Sequence, residues 1–334
     1  MRKRFISVAA SAIVLGVAGV APAVAHGDGH SGHSGSGQSG NGHSEHSGNG
    51  AAVQGSGVTE AASFGTASTG RAVSFIAQLS GANEVPVAGG PAVNDPDGRA
   101  VALVKVKGDR VTFALQWQGF VPSLGHIHQG RAGQNGAVKV GLFGTAMPDS
   151  VHSAAGQVAL SDAGLAQEIR TNPAGFYVNL HSAEFPGGAV RGQLKPLKKN
   201  VNPLSIIKGG KLRALSNGEQ EVPKNETSRV GDPDGRAVTF LSPKGTSVDY
   251  SLAWINIKSP SLGHIHKGRF GQNGDVVFNF FNRPVPDGVF AVAGKLNGQN
   301  ADAVQRVRAN PRSYYSNIHT PEFPDGAVRG QLFG

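Results

Sequence analysis

The stretch GRAVALVKVKGDRVTFALQWQG, residues 98 to 119, decides the fold class. Val111, Phe113, Leu115 and Trp117 alternate with Thr112, Ala114 and Gln116. A period of two belongs to a strand with one buried face. Lys107-Gly108-Asp109-Arg110 sits between two such runs and reads as their hairpin turn. Outward from it, AVSFIAQLSG (72 to 81) has the same character, and Gly, Asp and Pro break the runs at short intervals. The expected architecture is mainly β: antiparallel, sandwich-like or Greek-key-like. One short helix interrupts it. Ser161-Asp162 can cap AGLAQEIR, with Leu165 and Ile169 on one face and Asn172-Pro173 beyond the end.

The pattern then repeats. LSGANEVP (79 to 86) matches LSNGEQEVP (215 to 223), and DPDGRAV stands at 95 to 101 and at 232 to 238. SLGHIHQGRAGQNG (123 to 136) matches SLGHIHKGRFGQNG (261 to 274), and Trp117 matches Trp254. The second helix falls in ADAVQRVRANP (301 to 311), with Val304 and Val307 on its buried face. NPAGFYVNLHSAEFPGGAVRGQL (172 to 194) returns as NPRSYYSNIHTPEFPDGAVRGQL (310 to 332). Two tandem domains are expected, residues 71–194 and 211–334, with a basic linker over 195–210.

These motifs, in this order and twice, resemble the CHRD domain, a family first named from chordin. The likeness covers about residues 72 to 194 and 211 to 332. It implies an extracellular β-sandwich-like module and implies little about activity. Chordin's antagonism of growth factors is not carried over, because the cysteine-rich modules of that protein are missing from this chain.

Met1-Arg2-Lys3-Arg4, the apolar run Phe5 to Val20 and the small residues Ala23-Val24-Ala25 read as a signal peptide over 1–25. The mature protein is expected outside the cytoplasm: extracellular, periplasmic or bound to the cell envelope. No second apolar run is long enough for a span, so no transmembrane segment is expected after cleavage. Residues 26–70 are rich in His, Gly and Ser, and such a segment buries too little to order itself.

The net charge of +9 suggests nucleic acid until it is located. Arg2, Lys3 and Arg4 belong to the leader; Lys195, Lys198, Lys199, Lys208, Lys211 and Arg213 lie in an acid-free connector. Those nine account for the whole excess, so no basic binding face for nucleic acid is expected. The connector itself reads as a solvated charge run. With no cysteine, thiol catalysis, Cys-ligated zinc and iron–sulfur chemistry are excluded.

The histidines carry the chemistry. His126 and His128 share one face of an extended strand, about 6.6 Å apart, and Ile127 points into the core. In YVNLH, Tyr177, Asn179 and His181 share a face. His264, His266 and His319 repeat the set, whereas His152 has no counterpart and reads as surface. Three neutral imidazoles suit zinc or copper and leave a coordination position open. The bland alternative is that these histidines only brace turn carbonyls. Glu184 and Glu322 follow the third histidines by three residues and could orient them. Glu84 and Glu221 are expected to pair with Arg191 and Arg329, or with Arg99 and Arg236. The glycine loops lack a phosphate-loop ending; Asn135-Gly136 and Asn273-Gly274 read as turns. His26, His30, His33, His43 and His46 could add weak metal capture.

The leading reading is an exported, non-enzymatic protein with one copper or zinc per domain and no organic cofactor. A structural or adhesive module, binding an envelope polymer or protein, is the first alternative. A copper-dependent redox enzyme is the second: the HxH element on a cysteine-free sandwich is similar to copper/zinc superoxide dismutase. That likeness lacks a clear fourth ligand, a bridging histidine with its Asp, and the disulfide.

Overall fold

The computed structural model describes residues 70–334. The expected leader (1–25) and the His-rich segment lie outside the described residues, except Gly70. No helix among the described residues is long and apolar enough to cross a membrane.

The first repeat contains β1 (Val73–Ser80), β2 (Arg99–Lys107), β3 (Arg110–Gln118), β4 (Leu124–Gln129), β5 (Val138–Phe143) and β6 (Val151–Ala159). Helix α1 (Ala163–Thr171), β7 (Phe176–His181), β8 (Val190–Gln193) and the short β9 (Lys195–Pro196) follow. The second repeat runs β10 (Leu212–Asn217), β11 (Arg236–Lys244), β12 (Ser247–Ile255), β13 (Leu262–Lys267), β14 (Val276–Phe281) and β15 (Val289–Leu296). It ends with α2 (Ala301–Ala309), β16 (Tyr314–His319) and β17 (Val328–Phe333).

The hairpin forms where the alternation places it. Arg99 to Lys107 pairs with Gln118 to Arg110 without a slip, and Gly108 takes the turn at φ 57°. Val111, Phe113 and Leu115 are fully buried, as Trp117 nearly is. Each such side chain contributes roughly 1.5–3 kcal/mol by leaving water. Asp162 caps α1 by accepting from Gly164 N at 2.7 Å. Ile169 in α1, and Val304 and Val307 in α2, face the core.

All the ladders are antiparallel. In the first repeat they trace β5-β4-β7-β8-β1-β2-β3-β6. The chain thus leaves β3, builds β4 and β5 on the other half, and returns at β6 beside β3. That crossover is the Greek-key feature. Apolar inner faces, among them Phe75, Val104, Phe113, Ile127, Val178 and Val190, enclose the core. The second repeat follows the same path.

Between repeats, β6 pairs with β15, with Ala155 opposite Ala291 and Ala154 opposite Val292. Ser150 adds a polar tie: its hydroxyl lies 2.9 Å from Tyr250 Oη and also donates to Phe280 O.

Ala114 departs from the simple alternation. It was expected on the open face and is fully buried. Leu103, Ala114, Ala155, Ala291 and Ala253 stand opposite one another across five strands. Leu204 and Ile207 of the linker, together with Phe290, pack against this row. Small side chains let the linker lie close. Its fold is fixed further by Val201 N donating to Ser74 Oγ (3.2 Å) and Ser251 Oγ donating to Lys208 O (2.5 Å). The linker is therefore basic but not merely solvated.

Candidate metal centre

Strands β4 and β7 bring the first cluster together. Their register sets His128 opposite Tyr177, His126 opposite Asn179 and Leu124 opposite His181. Opposed residues in a ladder project to the same face, so pairing in this register gathers three imidazoles. Register shifts between β4 and β5 flank His126 and His128. Such bulges re-aim side chains.

One ligand atom from each of His126, His128 and His181 lies within 4.8 Å of the others, and so do those of His264, His266 and His319. Which atoms these are follows from hydrogen bonding. His128 Nδ1 is 3.0 Å from Gly136 O, and His181 Nδ1 is 2.9 Å from Pro186 O. A carbonyl only accepts, so both Nδ1 atoms carry the proton and both Nε2 atoms carry the lone pair. His126 Nδ1 lies 3.2 Å from His181 Nε2 and must donate to it. The Nε2 of His128 is buried with no partner. The second repeat copies each contact: His266 to Gly274 O at 2.8 Å, His319 to Pro324 O at 2.9 Å, and His264 to His319 at 3.2 Å. His266 Nε2 is likewise buried without a partner.

Burial, and then the neighbouring imidazoles, push His126 and His264 down to about 4. Burial also lowers His128, His181, His266 and His319. All six are neutral at neutral pH and ready to donate lone pairs. Metal–nitrogen bonds of about 2.0–2.1 Å require donor separations of roughly 3.4 Å, so the more open pairs draw inward by up to about 1.4 Å. A cation would also displace the proton from His126 Nδ1 to Nε2, a tautomer change without a change of charge.

Behind His128 stands a column. Tyr177 stacks on it with centroids 4.9 Å apart and planes 9° apart, and the Arg191 guanidinium lies 3.4 Å from the Tyr177 centroid. Arg191, 2% exposed, donates to the carbonyls of Arg131 (2.9 Å) and Gln134 (2.6 Å) and to Asn135 Oδ1 (3.1 Å). Arg191 therefore holds the glycine loop that holds His128. In the second repeat Arg329, Tyr315 and His266 form the same column, and Arg329 bonds Arg269 O, Gln272 O and Asn273 Oδ1.

The carboxylates behave differently from expectation. Glu184 and Glu322 are exposed, and the backbone carbonyls of Pro186 and Pro324 orient the third histidines instead. Among the described residues, Glu84 and Glu221 form no ion pair within 4.0 Å. Arg191 and Arg329 spend their donors on the loop, and Arg99 and Arg236 fold back on Gly98 O and Gly235 O. Glu84 accepts from Asn179 Nδ2 at 3.5 Å and Glu221 from Asn317 Nδ2 at 3.4 Å. Burial outweighs the nearby arginines and pushes Glu84 up to about 7 and Glu221 to about 8.

Asn135-Gly136 is not a turn. The turn lies earlier, where Gln134 N donates to Arg131 O at 3.0 Å and Gly133 has φ 77°. Gly136 is demanded by a close approach: a Cβ there would sit 1.5 Å from Gln129 O. Asn135 instead clamps the Glu-Val-Pro element, donating to Val85 O at 2.8 Å. His152 is exposed and joins no cluster.

The family model of the CHRD domain matches residues 75–194 and again residues 212–332. No curated protein matches the chain.

Proposed function

The chain belongs to the CHRD-domain family, and from that premise we propose an exported, non-enzymatic protein that binds one copper or zinc ion per domain. His126 Nδ1, His128 Nε2 and His181 Nε2 are the ligands in the first domain; the matching atoms of His264, His266 and His319 serve in the second. The observation that carries this reading is the buried, unpartnered Nε2 of His128 and of His266. A lone pair so placed costs free energy unless something accepts it. The bracing role and the ligand role are compatible, because Nδ1 bonds the carbonyl and Nε2 faces its neighbours. The remaining coordination is left to water or an exogenous ligand. The five histidines between residues 26 and 46 assist capture.

A purely structural module is the second reading, favoured by the carbonyl bonds of His128 and His181. Elemental analysis of the dialysed full chain separates the two. One ion per cluster is expected, with H128A and H266A each removing one and the double variant retaining only what the tail holds. Copper or zinc should raise the melting temperature of the parent but not of the double variant. Metal content unchanged in the double variant, or nil in the parent, refutes the cluster. Redox turnover by the copper-loaded parent would move the protein to the enzyme class.

A further inference from the structure

The described residues contain four Asn-Gly pairs, at Asn135, Asn217, Asn273 and Asn297. An asparagine before a glycine sits beside its own reagent. The glycine nitrogen can attack the side-chain carbonyl carbon, because no Cβ crowds the approach. The structure treats the four pairs differently.

Three are held. Asn135 donates to Val85 O (2.8 Å) and accepts from Arg191 (3.1 Å), while Gly136 N donates to Tyr177 Oη (3.3 Å). Asn273 donates to Val222 O (2.8 Å) and accepts from Arg329 (3.0 Å), while Gly274 N donates to Tyr315 Oη (3.4 Å). Asn217 accepts from Gln220 N at 3.1 Å and lies in β10, paired with both β11 and β17. Gly218 behind it is buried.

The fourth is free. Asn297 and Gly298 are exposed between β15 and α2. Among the described residues, neither the Asn297 side chain nor Gly298 N has a hydrogen-bond partner. The first repeat shows how this arises. There Leu160 N, the counterpart of Gly298 N, donates to Asp109 O at 2.7 Å. In the second repeat Thr246 O, the counterpart of Asp109 O, takes Gln299 N at 2.7 Å instead. The amide before it is left without an acceptor. Gly298 has φ 66°, and nothing lies within 4 Å of the place a Cβ would take.

We infer that Asn297 is a site of spontaneous intramolecular deamidation, and that Asn135, Asn217 and Asn273 resist it. Gly298 N gives up its proton and attacks Asn297 Cγ. A C–N bond forms and closes a succinimide ring, the Cγ–Nδ2 bond breaks, and Nδ2 takes up a proton and leaves as ammonia. Water then opens the ring at either carbonyl, leaving aspartate or isoaspartate. Each event adds a negative charge just ahead of Asn300, the α2 cap, whose Oδ1 accepts from Ala303 N at 2.9 Å. The isoaspartate product also lengthens the main chain where β15 hands over to that cap.

The test incubates the full chain in mildly alkaline, isotopically labelled water and maps its peptides by mass spectrometry. Label marks each asparagine that water has opened. A denatured sample gives the rate of each pair when nothing holds it. In the folded chain Asn297 is expected to react at close to its denatured rate. The other three should slow about tenfold or more, since their hydrogen bonds must open first. G298A should slow Asn297 and leave the other three as they are, with circular dichroism checking its fold. Protection of Asn297 as strong as that of the other three overturns the inference, as does any of those three reacting as fast as Asn297 in the folded chain.

Discussion

The two repeats keep their strand order and loop geometry and vary in parts of the core and loop surface. Each has the arginine–tyrosine–histidine column, the asparagine clamp and the two carbonyl-bound imidazoles. Their cores differ. Where the first repeat buries Ala102 and Val178, the second buries Thr239 and Ser316, whose hydroxyls meet at 2.8 Å. Their loops differ too, with Ala132 in the first and Phe270, 71% exposed, in the second. Core packing thus accepts exchanges that fill the space and pair the polar atoms. The atoms that aim the histidines have no such latitude, because a loop carbonyl must lie within hydrogen-bond reach of one ring nitrogen.

The sharpest way to break the comparison is to remove one column at a time. R191A should cost about 3 kcal/mol, because it strands two loop carbonyls and Asn135. It should empty the first cluster and spare the second; R329A should do the reverse. Denaturant unfolding and metal content per variant check both. Loss of metal from both clusters in either variant would show that the repeats do not act independently.

The core exchange predicts a smaller effect with a distinctive sign. T239A and S316V should each cost roughly 1–3 kcal/mol by leaving one buried hydroxyl alone. Together they restore the side chains of the first repeat, and the double variant should recover most of that loss. A double-mutant cycle measures the coupling; additive costs would deny that the hydroxyls matter to each other.

The carboxyls give an effect spread over pH rather than a single loss. Glu84 at about 7 and Glu221 at about 8 keep a proton in the fold that the unfolded chain releases near 4.5. The folded state then binds more protons between those values, so stability falls as pH rises through that window. Each contributes at most about 1.4 kcal/mol per pH unit. E84Q should flatten the decline below pH 7, and E221Q should also flatten it between 7 and 8. Stability curves in metal-free buffer test this, and matching profiles for both variants would erase the distinction between the repeats.

That His126 and His128 share a face was legible because strand parity is a property of sequence; that His181 folds beside them was not, since it depends on β4 pairing with β7. The two helices, the Asp162 cap of the first and the hairpin at Gly108 were legible too. The acceptors of the imidazoles were not. Gly136 and Pro186 reach the imidazoles through loop paths that no periodicity encodes, so a turn carbonyl was an available partner but which carbonyl was not legible. Arg191 was expected to meet a carboxylate, since charge is visible in a sequence and the carbonyls of Arg131 and Gln134 are not. The row of alanines left a faint trace: Ala154-Ala155 and Ala291 are small residues inside strands. Their meaning depended on β6 and β15 meeting, which is a matter of tertiary placement.

That meeting has a consequence for what counts as one protein. A repeat cut loose would present either Val151–Ala159 or Val289–Leu296 as a bare row of N–H and C=O groups. Such a row is a template on which other chains polymerise. Covalent fusion keeps a matching edge always at hand, at an effective concentration no free partner reaches. Each copy thereby shields the other's edge from aggregation, a protection to which Lys295 and the irregular register of the Val289–Leu296 strand add.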